Sequence, residues 1–253
     1  MSSQLRMRSQ HTSGCQAPQG RQRGITLVEL MISLVVGLIL IAAVFNMYMG
    51  NVRSARFTDG LQAIQENGRY AVSVLQRSFR LAGYSPISGI AGEIEAFDFE
   101  NSDESTIVIQ TRQPFDCTGQ DTTSTDGLAI NAYTLNTATN ELTCTGNQED
   151  SDSMPIVEGV EQFRVLYGID VDDDPATCEP QRYVPFDPTL QSSQVVALRF
   201  ALLVNSGRPI RTRNTSETFV LLDETYNSDN DKLAREVFSS TVMLRNNSAC
   251  ISL

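Results

Sequence analysis

The sequence predicts an α+β protein in which a long N-terminal helix, apolar in its first half and amphipathic in its second, packs on an antiparallel β-rich globular domain. Three observations carry this. Residues 25–49 form a nearly unbroken apolar run, residues 61–82 place apolar side chains every three to four positions, and residues 84–253 change to short alternating runs between turn signals. At 253 residues the chain suits one sizeable domain with an appendage.

The apolar run comes first. It exceeds the ~20 residues needed to cross a bilayer, and the residues before it contain Arg6, Arg8, Arg21 and Arg23 with no acidic side chain. Glu29 stands five residues inside. A carboxylate near hydrocarbon costs about 2 to 3 kcal/mol on insertion scales, so it needs a partner. A plain signal anchor accounts for part of this: the arginines stay cytoplasmic, and Glu29 closes a capping box with Thr26. A secretory signal fits less well, because no A-x-A cleavage pattern follows the run around Ala42 and Ala43.

The helix then continues to about residue 82. Leu61, Ile64, Gly68, Ala71, Leu75, Phe79 and Ala82 form one stripe, with Gln62, Glu66, Arg69, Arg77 and Arg80 largely off it. That stripe is expected to be core. Gly50, Gly60 and the Asn67-Gly68 pair are the expected bends, and Gly83 is the expected C-terminal cap.

Strands are expected over 106–111, 128–135, 141–144, 160–167, 195–204, 218–222 and 240–244. In 195–204 one face carries Val196, Leu198, Phe200, Leu202 and Val204, with Arg199 opposite, which predicts a sheet with one face laid on the helix.

Glycine 24 changes the reading of the N-terminus. Gly24-Ile25-Thr26-Leu27-Val28-Glu29-Leu30-Met31 resembles the prepilin signal of type IV pilins and pseudopilins, with Ile25 in place of the commoner phenylalanine. The resemblance implies a type IV pilin-like fold. It also implies a prepilin peptidase that cuts between Gly24 and Ile25 and methylates the new amine of Ile25. In that family the glutamate matched by Glu29 neutralises the amino-terminal charge of a neighbouring subunit, which supplies the partner the carboxylate needs. The expected layout is a leader peptide over 1–24, a transmembrane and filament-core segment over 25–49, an amphipathic continuation over 50–83 and a periplasmic β-rich domain over 84–253.

Loss of the leader removes four arginines and leaves 15 basic against 30 acidic side chains. Such a surface repels phosphate backbones, so direct nucleic-acid binding is not expected. Cys15 departs with the leader, leaving Cys117, Cys144, Cys178 and Cys250. An even number with no C-x-x-C pair, downstream of a membrane-crossing signal, suits disulfides in an oxidising compartment. Three connectivities are open. The expected one joins Cys117 to Cys144 and Cys178 to Cys250, because the first pair brackets a predicted hairpin and the second ties down the C-terminus.

Further segments narrow the family. Residues 65–71 (QENGRYA) and 79–84 (FRLAGY) look like the PilW-type minor pilins; residues 157–170, 196–204 and 242–246 resemble a pattern which that family shares with the J-like minor pseudopilin of type II secretion.

Catalysis has little to work with. The single histidine, His11, lies in the leader, no phosphate-cradling or dinucleotide motif is present, and an enzyme is not expected. Nor is a cofactor expected. The one metal candidate is calcium at Asp170, Asp172 and Asp174, which alternate as the first ligands of a calcium loop do; Pro175 and Gln181 occupy the positions of the usual glycine and glutamate, which favours an exposed acidic turn.

The resemblance implies a minor pilin at the tip or priming complex of a type IV pilus, promoting initiation of assembly. Its implied partners are the prepilin peptidase, other minor pilins, the major pilin, a tip adhesin and the inner-membrane assembly platform. It implies a single-pass inner-membrane protein with a periplasmic C-terminal domain, later incorporated in the pilus. Two alternatives stand beside this: a J-like pseudopilin of type II secretion, and a pilus-tip adhesin or receptor subunit.

Overall fold

The structure is a computed structural model and describes residues 24–86, 94–148, 152–171 and 178–246. The first element, α1, is a single helix of 54 residues, Leu27–Arg80. The chain divides between Gly50 and Asn51 into two units.

In the first unit α1 starts at a cap. The Glu29 backbone N–H donates to Thr26 Oγ1 at 3.2 Å and the Leu30 N–H to the Thr26 carbonyl at 3.1 Å, so Thr26 satisfies donors that the first turn leaves open. Its large apolar side chains from Leu27 to Met47 are exposed all round. The helix is long and apolar enough to cross a membrane.

The second unit is built on the rest of α1. Its buried positions are Gly60, Ile64, Gly68, Ala71, Leu75 and Phe79, one helical face repeating at three to four residues. Leu61, expected on that face, is exposed and Gly60 takes its place, because a helical stripe drifts and the position one residue earlier meets Ile210.

Two antiparallel four-stranded sheets receive this face. The first is a meander of β1 (Thr106–Arg112), β2 (Leu128–Asn136), β3 (Glu141–Thr145) and β4 (Met154–Glu158), in that spatial order. The second contains β5 (Val160–Ile169), β6 (Arg182–Val184), β7 (Val195–Asn205) and β10 (Arg235–Met243), in the order β10-β7-β5-β6. A hairpin of β8 (Thr218–Leu221) and β9 (Glu224–Asn227) stands apart as a two-stranded sheet.

Phe79 joins the layers. Its ring meets Tyr133 of β2 edge-on at 6.0 Å and Phe200 of β7 edge-on at 5.4 Å, so one helical residue touches both sheets. Full burial of such a ring is worth about 2 to 3 kcal/mol. The neighbouring Ser78 accepts a 2.8 Å hydrogen bond from the Tyr133 hydroxyl, which satisfies the one polar atom that this packing buries.

Strand β7 is covered on its second face as well as on the face laid toward the helix. Every residue from Val195 to Asn205 is buried except Arg199. One face meets the main core; on the other, Ala201 and Leu203 pack with Leu221 under Phe219, Tyr226 and Val237. The β8–β9 hairpin and β10 thus cover the second face. Arg199 escapes by lying over the Tyr183 ring, 4.1 Å from its centroid.

Candidate assembly site

At the start of α1, Ile25 is 73% exposed and Glu29 is exposed on an apolar helix. The backbone of Glu29 is satisfied: its N–H is capped by Thr26 and its carbonyl accepts from the Ser33 hydroxyl at 2.7 Å. Its carboxylate has no ion pair among the described residues. The cap therefore uses the Thr26 side chain and the Glu29 backbone, not the Glu29 carboxylate.

Within the second unit, the motif segments meet as joints between helix and sheet. From QENGRYA, Gln65 donates to the Glu236 carboxylate at 2.5 Å and Asn67 donates to the Glu158 carbonyl at 3.1 Å. Gly68 is the close-approach point, since a Cβ there would stand 2.2 Å from Phe238 Cε2. Gly60 acts likewise, with a Cβ falling 2.6 Å from Ile210 Cγ2. These two glycines, expected as bends, admit side chains from distant segments within one continuous helix.

The FRLAGY segment closes the helix. Asn246 donates to the Arg80 carbonyl at 2.8 Å, while Gly83 turns with φ +75° and sends its N–H to the Gln110 carbonyl of β1 at 2.8 Å. A Cβ at Gly83 would stand 2.7 Å from the Asn246 carbonyl oxygen. The helix end and the late 242–246 segment are thus fitted to each other.

A buried charge network holds the second sheet. The pairing of β5 with β7 slips between Val160 and Gln162, so Glu161 is the extra residue of a bulge. The bulge turns Glu161 inward, where its carboxylate accepts from Arg235 Nε at 2.6 Å and from Asn205 Nδ2 at 2.7 Å. Arg235 also forks onto Asp231 at 2.8 and 2.6 Å. That hydrogen bond holds the Asp231 carboxyl below its usual value. Arg164 clamps Asp223 in the same way at 3.1 and 3.0 Å. Sequence reading did not single out Glu161 or Arg235, which lie 74 residues apart and meet only through β7.

Cys117 and Cys144 are disulfide-bonded, 27 residues apart, and tie the loop after β1 to β3. Cys178 is disulfide-bonded too, and its expected partner Cys250 lies outside the described residues. Of the calcium candidates, Asp172 and Asp174 lie outside the described residues; Asp170 follows β5 and its N–H donates to the Gln194 carbonyl at 2.9 Å. His11 lies outside them as well.

An apolar helix with a capped start, followed by an amphipathic stretch packed on antiparallel sheets, defines a pilin-like subunit. Residues 19–45 match the model of the prokaryotic N-terminal methylation motif, and residues 122–246 match that of the type IV pilus-assembly protein W. The second match spans just under half of the chain, and over those residues the chain is similar to the PilW family of type IV pilus proteins. Pilins are structural proteins. A type IV-like pilin from Thermus thermophilus is 19% identical over 69% of this chain and 93% of its own, with a TM-score of 0.39; at that level the helix and sheets, not the likeness, define the fold. No curated protein sequence matches the chain.

Proposed function

We propose that the protein is made as a prepilin, cut between Gly24 and Ile25, methylated at Ile25 and inserted in the inner membrane with its β-rich domain in the periplasm. From there it joins the tip or priming complex of a type IV pilus and promotes the start of assembly. The observation that carries this reading is Glu29, a carboxylate on an exposed apolar stretch of helix inside the methylation motif, its backbone capped and its charge without an ion pair among the described residues.

Two charges left separately in hydrocarbon are each costly, so the Glu29 carboxylate and the amine of a neighbouring subunit favour docking by pairing. The neighbour is another minor pilin or the major pilin, delivered at the assembly platform, with a tip adhesin as a further partner of the sheet domain. The match to the W-type model supports the pilus over the J-like pseudopilin reading. The test is the mass and N-terminal sequence of the membrane-extracted protein, made together with its own prepilin peptidase. A chain beginning with N-methylated Ile25 supports the reading, and an intact Met1 overturns it.

A further inference from the structure

The acidic chain carries a groove rich in basic side chains. Of its 19 arginines and lysines, Arg53, Arg56, Arg211, Arg213 and Lys232 line a groove of about 940 Å³, and among the described residues no acidic side chain lines it. In a chain with 30 acidic residues, such segregation is not what mixed surface charge produces. Four of the five cations make no ion pair among the described residues; Arg211 is fixed by Glu217 at 2.5 and 2.8 Å and by Thr215 at 2.7 Å. The nearby Asp231 is engaged by Arg235 and Asp59 by Arg208.

The groove is built, not incidental. One wall is α1 from Arg53 to Phe57, and the other is the chain at 209–213. Gly60 admits Ile210 against the helix, and the Ile210 and Arg211 N–H groups both donate to the Lys232 carbonyl at 3.0 Å, which sets the basic side chains around an apolar floor of Ile210 and Phe57. Phe57 is 44% exposed. A floor of apolar side chains under a cationic rim suits an amphiphile better than an acidic protein surface.

Position selects the amphiphile. Arg53 follows Met49, the last residue of the apolar run, by only four positions in the sequence. The headgroup layer on each side of a bilayer is about 5 to 7 Å deep. We propose that this groove binds the phosphate headgroup of an anionic phospholipid in the leaflet where residues 25–49 leave the membrane. This rests on the membrane-inserted pilin reading above. Arg53, Arg56, Arg213 and Lys232 neutralise the phosphate, Arg211 shapes the rim, and Phe57 with Ile210 meets the glycerol and upper acyl carbons.

The test uses the only lysine of the chain. The full chain is reconstituted in nanodiscs of phosphatidylcholine alone or with about 30% phosphatidylglycerol, and acylation of Lys232 is followed by mass spectrometry. Acylation about threefold or more slower in the anionic discs, restored by about 0.5 M salt and absent from the triple variant Arg53→Gln, Arg56→Gln, Arg213→Gln, supports the proposal. The exposed variant sites also control for the lower pH at an anionic surface, which the substitutions leave unchanged. Equal rates in both discs overturn it. So does equal protection by inorganic phosphate in neutral discs, which would mean a site for free phosphate, or protection that rises only with protein density, which would mean a second copy. Failure of the chain to enter discs at all would overturn the membrane reading instead.

Discussion

The ring of Phe238 on β10 lies so close to Gly68 of α1 that a Cβ at Gly68 would stand 2.2 Å from Cε2 and 2.4 Å from Cδ2. The only side chain compatible with this joint is a hydrogen. Alanine is the better helix former by about 1 kcal/mol, so propensity alone predicts that Gly68→Ala stabilises. The contact reverses the sign: overpacking costs about 1 to 3 kcal/mol, and the whole ring edge must move. The expected result is a lower melting temperature for Gly68→Ala in detergent-solubilised protein, with part of the loss recovered when Phe238 is shortened to leucine. A rise in melting temperature for the single variant would show that the ring yields freely.

The Glu161–Arg235–Asp231 network predicts an asymmetry. The Arg235 side chain is 3% exposed and that of Glu161 8%, so Glu161→Leu leaves a buried guanidinium with half its support gone. Breaking a buried pair from one side costs about 3 to 5 kcal/mol. Removing both charges with Glu161→Leu and Arg235→Met together is expected to cost less than the sum of the singles. Chemical denaturation of the four proteins measures the coupling, and additive losses would mean that the two charges do not depend on each other.

Acid should weaken the sheet domain in a defined window. Arginine hydrogen bonds hold Asp231, Asp223 and Glu217 below their ordinary values of 3.8, 3.8 and 4.5. A folded value below the unfolded one means that the unfolded chain takes up protons first as pH falls. The stabilisation is therefore complete above about pH 5 and is lost as pH drops through the folded values, below about pH 4. Melting temperature measured from about pH 6 to pH 3 should fall most steeply at the acid end, and Arg164→Gln should make that slope shallower. An unchanged slope would assign acid sensitivity to other carboxylates.

The Cys117–Cys144 bond closes a loop of 27 residues, so replacing both cysteines by serine is expected to cost about 3 to 4 kcal/mol. A reductant should then lower the melting temperature more for the natural chain than for the variant, which keeps only the Cys178 bond; equal shifts would mean that the Cys117–Cys144 bond contributes nothing.

At the N-terminus two substitutions separate processing from docking. Gly24→Ala should block cleavage and abolish function. Glu29→Ala should leave the protein in the membrane while impairing its entry into pili, read as its amount in sheared filaments against its amount in membranes. Unaltered piliation would leave Thr26 and Glu29 with a capping role only.

Local pattern alone determined the apolar run, the continuous helix, the methylation motif and the strands β1, β2, β3, β5, β7 and β8, because helical and strand periods and turn residues act over a few neighbours. Three strands were not legible. Strand β4 (MPIVE) carries a proline, β6 (RYV) has only 3 residues and β9 (ETYN) is mostly polar, so none alternates as a half-buried strand does, and each exists because a partner strand offers its edge. Only the last part of β10 was expected; its start at Arg235 depends on pairing with Asn205. The tertiary structure alone decided why Gly60 and Gly68 are glycines, why Glu161 turns inward and how residues 53, 56, 211, 213 and 232 form one groove. Close approach, bulge register and charge clustering are set by chain segments up to 179 residues apart in sequence, from Arg53 to Lys232, and no local period carries that information.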